Sequence, residues 1–343
     1  MCLGALLVTV ALQATIRFLS QRQPTPREQF FTAFHAVPAG SLGRCDATML
    51  APMLSRILPA PGATAATPHL VIDIGANVGD TTDDLVHFFT SAGCLSYHAA
   101  FPETTGKSTF APCDVRAARV LSYEPMPANY NALLARGAHA HWLADVWSAF
   151  PIAVTSPSRV PASGMIDFFS SGAVGDQQGA LSSGAAYTVH KIAVNATTLD
   201  AHLAALGLQQ TPILLLKVDT EGFDADVFLG ATAILARQQV RIITFEYNTK
   251  WGESPGSSLS ATVKALGAAA YDCFFITPDN LVPLTGVWWH DSYEIWQWSN
   301  VVCFRRCDQV IQRRVLAFFN KLPVDAAAIV GCAPPATCTE CAV

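Results

Sequence analysis

Ionisable side chains follow two apolar runs of this sequence, at positions where they could take part in chemistry. Lys217, Asp219 and Glu221 come directly after the run PILLL, and Glu246 follows the run RIITF. Charged groups at the mouth of a buried strand cost free energy unless they are paired or used in a reaction. Alternation along a strand places Lys217 and Asp219 on one face, where they can pair. The structural alternative is that Asp219 and Glu221 cap the helix that follows.

A turn with two glycines, Gly75 and Gly79, follows another apolar run, HLVIDI. Dinucleotide-binding turns have the pattern GxGxxG, but Asn77 takes the place of the second glycine here. Asp73 precedes the turn, where its charge would repel a pyrophosphate. A carboxylate in this place suits a cationic cofactor without phosphate, such as S-adenosylmethionine with its sulfonium and ammonium groups. The alternative is a structural turn that binds no ligand.

Glu124 ends a further apolar run, VLSY, where a carboxylate can accept the hydroxyl groups of a ribose. It lies 51 residues after Asp73, whereas the ribose-binding acid of a dinucleotide fold follows at about 20 residues. The sequence between them therefore contains an insertion. Cys94 and Cys113 lie in a stretch of loop composition, and a disulfide between them would close this insertion.

Short apolar runs alternate with helical patterns from His69 onwards. The predicted strands lie in the segments HLVIDI, RVLSYEP, FPIAVT, PILLLKVD, RIITFEY, YDCFFIT and NVVCFRR. The predicted helices lie in the segments DTTDDLVHFFT, PANYNALLARGA and FDADVFLGATAILARQQ. This alternation indicates an α/β fold with an open, mostly parallel sheet and helices on both faces. Ligands bind beyond the carboxyl ends of the strands in such sheets, which is where the ionisable residues lie.

Five segments together resemble the FkbM family of S-adenosylmethionine-dependent methyltransferases, over about residues 69–305. They are, in chain order, VIDIGANVGDTT, VLSYEPMPANYNAL, ATTLDAHL, LLLKVDTEGFDADVFLGA and ITFEYN. The resemblance implies a class I methyltransferase fold, a Rossmann-like, doubly wound sheet of seven strands whose last strand is antiparallel. It also implies O-methylation of a hydroxyl on a sugar or another small molecule. The insertion, and Asp224 where the family more often has Glu, depart from the family pattern.

The resemblance also implies roles for particular residues. The cofactor S-adenosylmethionine would be bound by the turn and by the acid that follows the second strand: Asp73, Gly75, Asn77, Gly79 and Glu124. Asp219 and Glu246 would face the transferred methyl group and the acceptor. Asp219 is the predicted base, and Lys217 is predicted to hold its geometry. No metal site is predicted, because His139 and His141 have no third ligand nearby in the sequence.

The chain divides into three predicted parts. Residues 1–68 are a targeting or anchor segment with a linker, 69–306 the catalytic domain, and 307–343 a cysteine-rich extension. The first 27 residues contain no Asp or Glu, and the apolar run 2–12 is followed by arginines. This pattern predicts a secretory signal or a membrane anchor. An organelle transit peptide and an ordinary packed helix, which would leave the protein in the cytoplasm, are the alternatives.

The composition limits the classes of partner and the cellular compartment that we expect for this chain. The chain has 343 residues, 51% of them hydrophobic, a formal net charge of -5 and no cluster of Lys and Arg, so nucleic acid is not expected to bind. Ten cysteines favour disulfides formed in an oxidising compartment. The sequon Asn195-Ala196-Thr197 agrees with that compartment. Buried reduced thiols are the alternative. No oligomeric state is predicted.

Two further alternatives concern function. The segment VWWHDSYEIWQW, residues 287–298, could bind an aromatic-stacking acceptor with His290 as a proton carrier, or it could be a packed hairpin with tryptophans in its core. The chain as a whole could instead be an NAD-type oxidoreductase or a catalytically silent binding domain. The missing second glycine and Asp73 count against the oxidoreductase.

Overall fold

The computed structural model describes residues 69–89, 118–142, 146–175, 190–254, 256–276, 281–295, 298–306 and 308. The strands in these ranges are β1 (His69–Ile74), β2 (Ala118–Tyr123), β3 (Trp147–Phe150), β4 (Ile152–Val154), β5 (Met165–Ser170), β6 (His190–Thr197), β7 (Ile213–Val218), β8 (Val240–Tyr247), β9 (Tyr271–Ile276), β10 (Leu281–Pro283) and β11 (Ser299–Arg305). The helices are α1 (Asp80–Phe89), α2 (Pro127–His139), α3 (Leu199–Ala205), α4 (Asp224–Leu229), α5 (Thr232–Ala236) and α6 (Leu259–Ala268).

The main sheet has eight strands within the described ranges, in the order β10-β9-β11-β8-β7-β1-β2-β3. The strands β1, β2, β3, β7 and β8 are parallel to their neighbours in this series. β11 is antiparallel to both β8 and β9. The predicted α/β class I methyltransferase sheet with an antiparallel last strand is therefore confirmed. The short edge strand β10, antiparallel to β9, was not predicted and brings the count from seven to eight.

The centre of the sheet explains why its strands are so apolar. All six residues of β7 are buried, as are residues 70–74 of β1. Because side chains alternate between the two faces of a strand, both faces of the sheet must be covered. Because β1, β2, β7 and β8 are parallel, their carboxyl ends meet at one edge, and the predicted site residues lie in the last residues of these strands or shortly after them.

The predicted strand FPIAVT is wrong as a single element, because the chain changes sheet in its middle. β3 ends at Phe150 and pairs with β2 in the main sheet. β4 begins at Ile152 and joins a second sheet of order β4-β6-β5. Pro151 separates them; it has no N–H group to continue a ladder. The inner face of this small sheet packs on Met126, just after β2.

The predicted helix FDADVFLGATAILARQQ is likewise interrupted, at Gly230 between α4 and α5. A Cβ atom at Gly230 would lie 2.2 Å from the carbonyl oxygen of Thr155, so only glycine permits this close approach. The carboxylate of Asp200 accepts the N–H groups of Ala233 and Ile234 at 2.7 and 3.0 Å. These bonds satisfy the free donors of the second helix and define its start.

Cys273 and Cys303 form a disulfide between β9 and β11, where they are direct cross-strand partners. Both residues are fully buried. The prediction of disulfides is confirmed for this pair. The remaining cysteines lie outside the described residues, at positions 2, 45, 94, 113, 307, 332, 338 and 341.

The predicted N-terminal segment 1–68, the insertion and nearly all of the extension 307–343 also lie outside the described residues. Among the helices that the structure describes, none is long and apolar enough to cross a membrane. The predicted anchor therefore stays a prediction.

Candidate active site

The glycine turn lies directly against the end of β7. Gly75 has φ +77°, and a Cβ atom there would lie 1.8 Å from the carbonyl oxygen of Asp219. Gly79 has φ +95°, and its Cβ would lie 2.6 Å from Leu133 of α2. Both positions thus combine a backbone conformation that favours glycine with a contact that excludes a side chain. Gly75 allows the turn to pack against the backbone of Asp219, and Gly79 allows it to pack against α2.

The backbone N–H groups of the turn are all used inside the protein. Gly75 and Ala76 donate to the Tyr123 carbonyl at 3.0 Å each, and Gly79 donates to the Ala76 carbonyl at 2.9 Å. Asn77 donates to Glu124 Oε2 at 2.8 Å, and Val78 donates to Asn77 Oδ1 at 2.7 Å. A pyrophosphate cradle needs backbone donors that point at the ligand. This turn has none to offer, which weighs against the dinucleotide alternative.

Lys217 joins the turn to the end of β7. Its Nζ lies 3.0 Å from Asp73 Oδ1 and 3.4 Å from Asp219 Oδ2, and it donates to the Gly75 carbonyl at 2.9 Å. Burial alone would lower the pKa of Lys217, but the carboxylates of Asp73 and Asp219 outweigh it and raise that pKa. Lys217 is therefore a fixed positive charge, and it holds Asp219 as the sequence predicts.

Asp73 is buried and paired inside the protein. Its side chain is 0% exposed, and besides the ion pair with Lys217 it accepts a hydrogen bond from Thr82 at 2.6 Å. Its charge is neutralised inside the protein. The carboxylate of Asp219, by contrast, is 37% exposed.

Asp219 and Glu246 form a hydrogen-bonded pair of carboxyl groups at the ends of neighbouring strands. Burial and the adjacent Asp219 charge raise the pKa of Glu246 to about 10. Burial opposes the ionisation of Asp219, but Lys217 and the hydrogen bond from Glu246 hold its pKa below the ordinary value. At neutral pH the Glu246 hydroxyl therefore donates to an ionised Asp219.

Two polar residues of the next turn, which the sequence did not predict, support this pair. Asn248 donates to Glu246 Oε1 at 2.7 Å and accepts the N–H of Lys250 at 2.8 Å. Lys250 also forms an ion pair with Glu221. The helix-cap alternative for Asp219 and Glu221 is wrong, because the residue before α4 is Phe223 and α4 has no side-chain cap.

Glu124 is held rigidly at the end of β2. Its two oxygens accept the N–H groups of Asn77 at 2.8 Å and Met126 at 2.9 Å. Burial raises its pKa to about 7, although these two hydrogen bonds act in the opposite direction. The carboxylate thus lies beside the turn, as the sequence predicts. Contact with a ribose stays a prediction.

A sequence model described as the methyltransferase FkbM domain matches residues 73–273 of the chain. The chain belongs to the FkbM methyltransferase family. The match includes all eight residues predicted at the site.

Solved structures are similar at low sequence identity. A human methyltransferase 10 domain-containing protein is 10% identical over 78% of this chain and 83% of its own, with a TM-score of 0.33. The methyltransferase FkbM from Methylobacillus flagellatus KT is 12% identical over 69% of this chain and 43% of its own, with a TM-score of 0.31. No curated protein matches the sequence. The family assignment rests on the sequence match.

Asp224 is fully buried at the start of α4. Burial and the nearby Asp219 carboxylate raise its pKa to about 7, although Thr220 donates to its Oδ2 at 3.2 Å. Within the described ranges its Oδ1 has no hydrogen-bond partner. A buried carboxyl with these neighbours is more stable when protonated.

We expect Asp224 to make the folded protein less stable as pH rises. Because its folded-state pKa of about 7 lies above the unfolded value, the folded state binds the proton more tightly. Stability should therefore fall from about pH 4, near the unfolded pKa, to about pH 7, and Asp224→Asn should reduce that loss by roughly 1–3 kcal/mol. Glu124, Glu221 and Glu246, whose pKa values burial also raises, leave a residual slope in both proteins. Urea unfolding across this pH range measures the slopes, and parallel slopes in the two proteins would contradict the assignment.

Neither a metal site nor an aromatic acceptor pocket is supported by the described residues. No group of three or more His, Cys, Asp or Glu residues in the described ranges could hold a metal ion. In the aromatic segment 287–298, Trp288 and Tyr293 are buried, which favours the packed interpretation. The His290 ring lies 2.7 Å from Ser292 Oγ and against Tyr293. The described residues of the segment form short 3-10 turns rather than a hairpin.

Proposed function

We propose that this FkbM methyltransferase transfers a methyl group from S-adenosylmethionine to a hydroxyl group, with Asp219 as the base. One observation carries the proposal. The partly exposed carboxylate of Asp219 lies 3.4 Å from the buried Lys217 ammonium and beside the Glu246 carboxyl, next to a turn whose backbone donors are already used. This edge favours a cationic ligand and a group that can lose a proton.

The chemistry of the donor set fits the cofactor. S-adenosylmethionine, when bound, supplies an electrophilic methyl group on a positively charged sulfonium. Asp219, whose carboxylate is partly exposed, lies against the turn at Gly75, and Glu124 keeps lone pairs that can accept ribose hydroxyls. Asp73 acts indirectly, because its charge holds Lys217 against the Gly75 carbonyl. Gly75, Asn77 and Gly79 shape the wall of the same site.

The residues at the edge have separate tasks in the transfer. Asp219 accepts the proton of the acceptor hydroxyl. The oxygen of that hydroxyl would take the methyl group as the bond between the methyl and the sulfonium sulfur breaks and S-adenosylhomocysteine leaves, which requires alignment more than covalent help. Lys217 holds one Asp219 oxygen by charge. Glu246 donates a hydrogen bond to Asp219 and so fixes its orientation. After the transfer the pair is uncharged, a state that a partly buried site tolerates well.

The role of Glu246 gives a prediction with a matched control. Glu246→Gln keeps an N–H donor for Asp219 and an oxygen for Asn248, so turnover should stay within about tenfold of the parent. Glu246→Ala removes the donor and should lower turnover by roughly 10- to 100-fold, the effect of one hydrogen bond to a charged group. Initial rates of labelled methyl transfer separate the two. Equal loss in both variants would mean that Glu246 must ionise, contrary to the proposal.

Labelled methyl transfer tests the proposed function directly. The full chain is incubated with S-adenosylmethionine labelled at the methyl group and with fractionated cell extract, and Asp219→Asn is run in parallel. We expect label in a glycan or small-molecule fraction, stable to mild base, and only with the parent protein. Binding of the donor without labelling of any fraction would favour the silent binding domain. Label in nucleic acid would contradict the proposed acceptor class.

A further inference from the structure

The single Asn-x-Ser/Thr triplet of the sequence, Asn195 to Thr197, lies on β6, the central strand of the small sheet. Neighbouring residues on this strand face opposite sides. Val194 and Ala196 are buried against Met126, whereas Asn195 is exposed. The amide of Asn195 therefore points away from the interior of the domain.

The outer face of the small sheet is open around Asn195. Its cross-strand partner on β5, Met165, is 39% exposed. Further along the same face Lys191 and Asp167 form an ion pair at 2.8 Å, and both side chains are more than half exposed, at 59% and 57%. Among the residues that the structure describes, a bulky hydrophilic group on Asn195 would displace no packed side chain and would meet solvent.

The buried disulfide supports the compartment that this modification requires. Cys273 and Cys303 are fully buried between β9 and β11, on a different sheet from Asn195. Disulfides form and persist in the oxidising compartments of the secretory route, and N-glycosylation also belongs to that route. The exposed position of Asn195 and the buried disulfide therefore support the same compartment independently of each other.

We propose that Asn195 is an N-glycosylation site and that the protein matures in an oxidising secretory compartment. The donor is an oligosaccharide linked to a lipid diphosphate. A bond forms between Asn195 Nδ2 and the anomeric carbon, the bond from that carbon to phosphate oxygen breaks, and the amide loses one proton as the lipid diphosphate leaves. The hydroxyl of Thr197 completes the recognised triplet.

Expression of the full chain in a eukaryotic cell, with its own N-terminus, tests the site. The parent, Asn195→Gln, Thr197→Ala and Thr197→Ser are compared by gel mobility with and without peptide N-glycosidase. We expect a glycosidase-sensitive shift in the parent and in Thr197→Ser, and no shift in the other two. Because the sequence has one triplet, the shift should be lost completely. Mass spectrometry should then find Asp at position 195 after glycosidase treatment.

Two outcomes would overturn the proposal, and neither depends on methyl transfer. The parent could show the Cys273–Cys303 disulfide but no sensitive shift, which would reject the site. Alternatively, alkylation could show free thiols at both cysteines together with no shift, which would reject the compartment as well. Circular dichroism of Asn195→Gln and Thr197→Ala shows that these variants are folded. We expect their affinity for S-adenosylmethionine to match the parent, because Asn195 lies on the face of the small sheet opposite to the one that packs on Met126.

Discussion

Asp219→Asn is expected to lower the rate of methyl transfer by about 10²- to 10⁴-fold, the range that a positioned general base contributes. The amide keeps the size of the side chain but cannot accept the proton of the acceptor hydroxyl. Glu246, which accepts a hydrogen bond from Asn248, and the charged Lys217 should remain in place around the new amide. Rates of label transfer into the acceptor fraction measure the loss.

Binding measurements separate a lost base from a damaged site. S-adenosylhomocysteine carries a neutral thioether, so its affinity should be unchanged in Asp219→Asn, whereas the affinity for the sulfonium compound should fall. Asp167→Asn is the matched control, because Asp167 is also paired with a lysine but is 57% exposed on the small sheet. Full turnover by Asp219→Asn with unchanged binding would show that Asp219 is not the base.

Lys217→Met is expected to destabilise the protein by about 3–5 kcal/mol, since removing one partner of a buried ion pair leaves an uncompensated charge. The lysine side chain is 9% exposed, and Asp73 beside it is 0% exposed. Methionine fills the space but leaves the Asp73 carboxylate without its cation and the Gly75 carbonyl without its donor. Urea unfolding of the parent and the variant gives the difference in free energy.

A second substitution identifies the cause of that loss. Lys217→Met combined with Asp73→Asn removes the stranded charge and should recover part of the stability. Lys191→Met, which breaks an exposed pair with Asp167, should cost about 1 kcal/mol or less. If Lys217→Met costs no more than Lys191→Met, the buried ion pair does not hold the end of β7 to the turn.

The central strands of the fold could be predicted because their sequences are apolar on both faces. β1 and β7 are buried runs, and each ends one residue after an ionisable side chain, Asp73 in β1 and Lys217 in β7. The breaks at Pro151 and Gly230 were missed because tertiary packing determines them. The small sheet was missed for a related reason: β4 is short, and its partner β6 lies far along the chain.

The sequence predicted which residues lie at the site better than it predicted which of them are ionised. Strand ends identified Lys217, Asp219 and Glu246, but the sequence does not show which carboxyl keeps a proton. That depends on distances: Lys217 lies 3.4 Å from Asp219, while the nearest polar partner of Glu246 besides Asp219 is the amide of Asn248 at 2.7 Å. Asn248 carried the same signal as Glu246, a polar side chain after a buried strand, and could have been found.

Calorimetric titration of the purified chain with S-adenosylmethionine, and with NAD⁺ under the same conditions, identifies the cofactor class. We expect saturable binding of one S-adenosylmethionine per chain, weakened in Asp219→Asn, and no saturable heat with NAD⁺. Binding of NAD⁺ but not of S-adenosylmethionine would contradict this expectation, because the turn from Gly75 to Gly79 would then be holding a pyrophosphate.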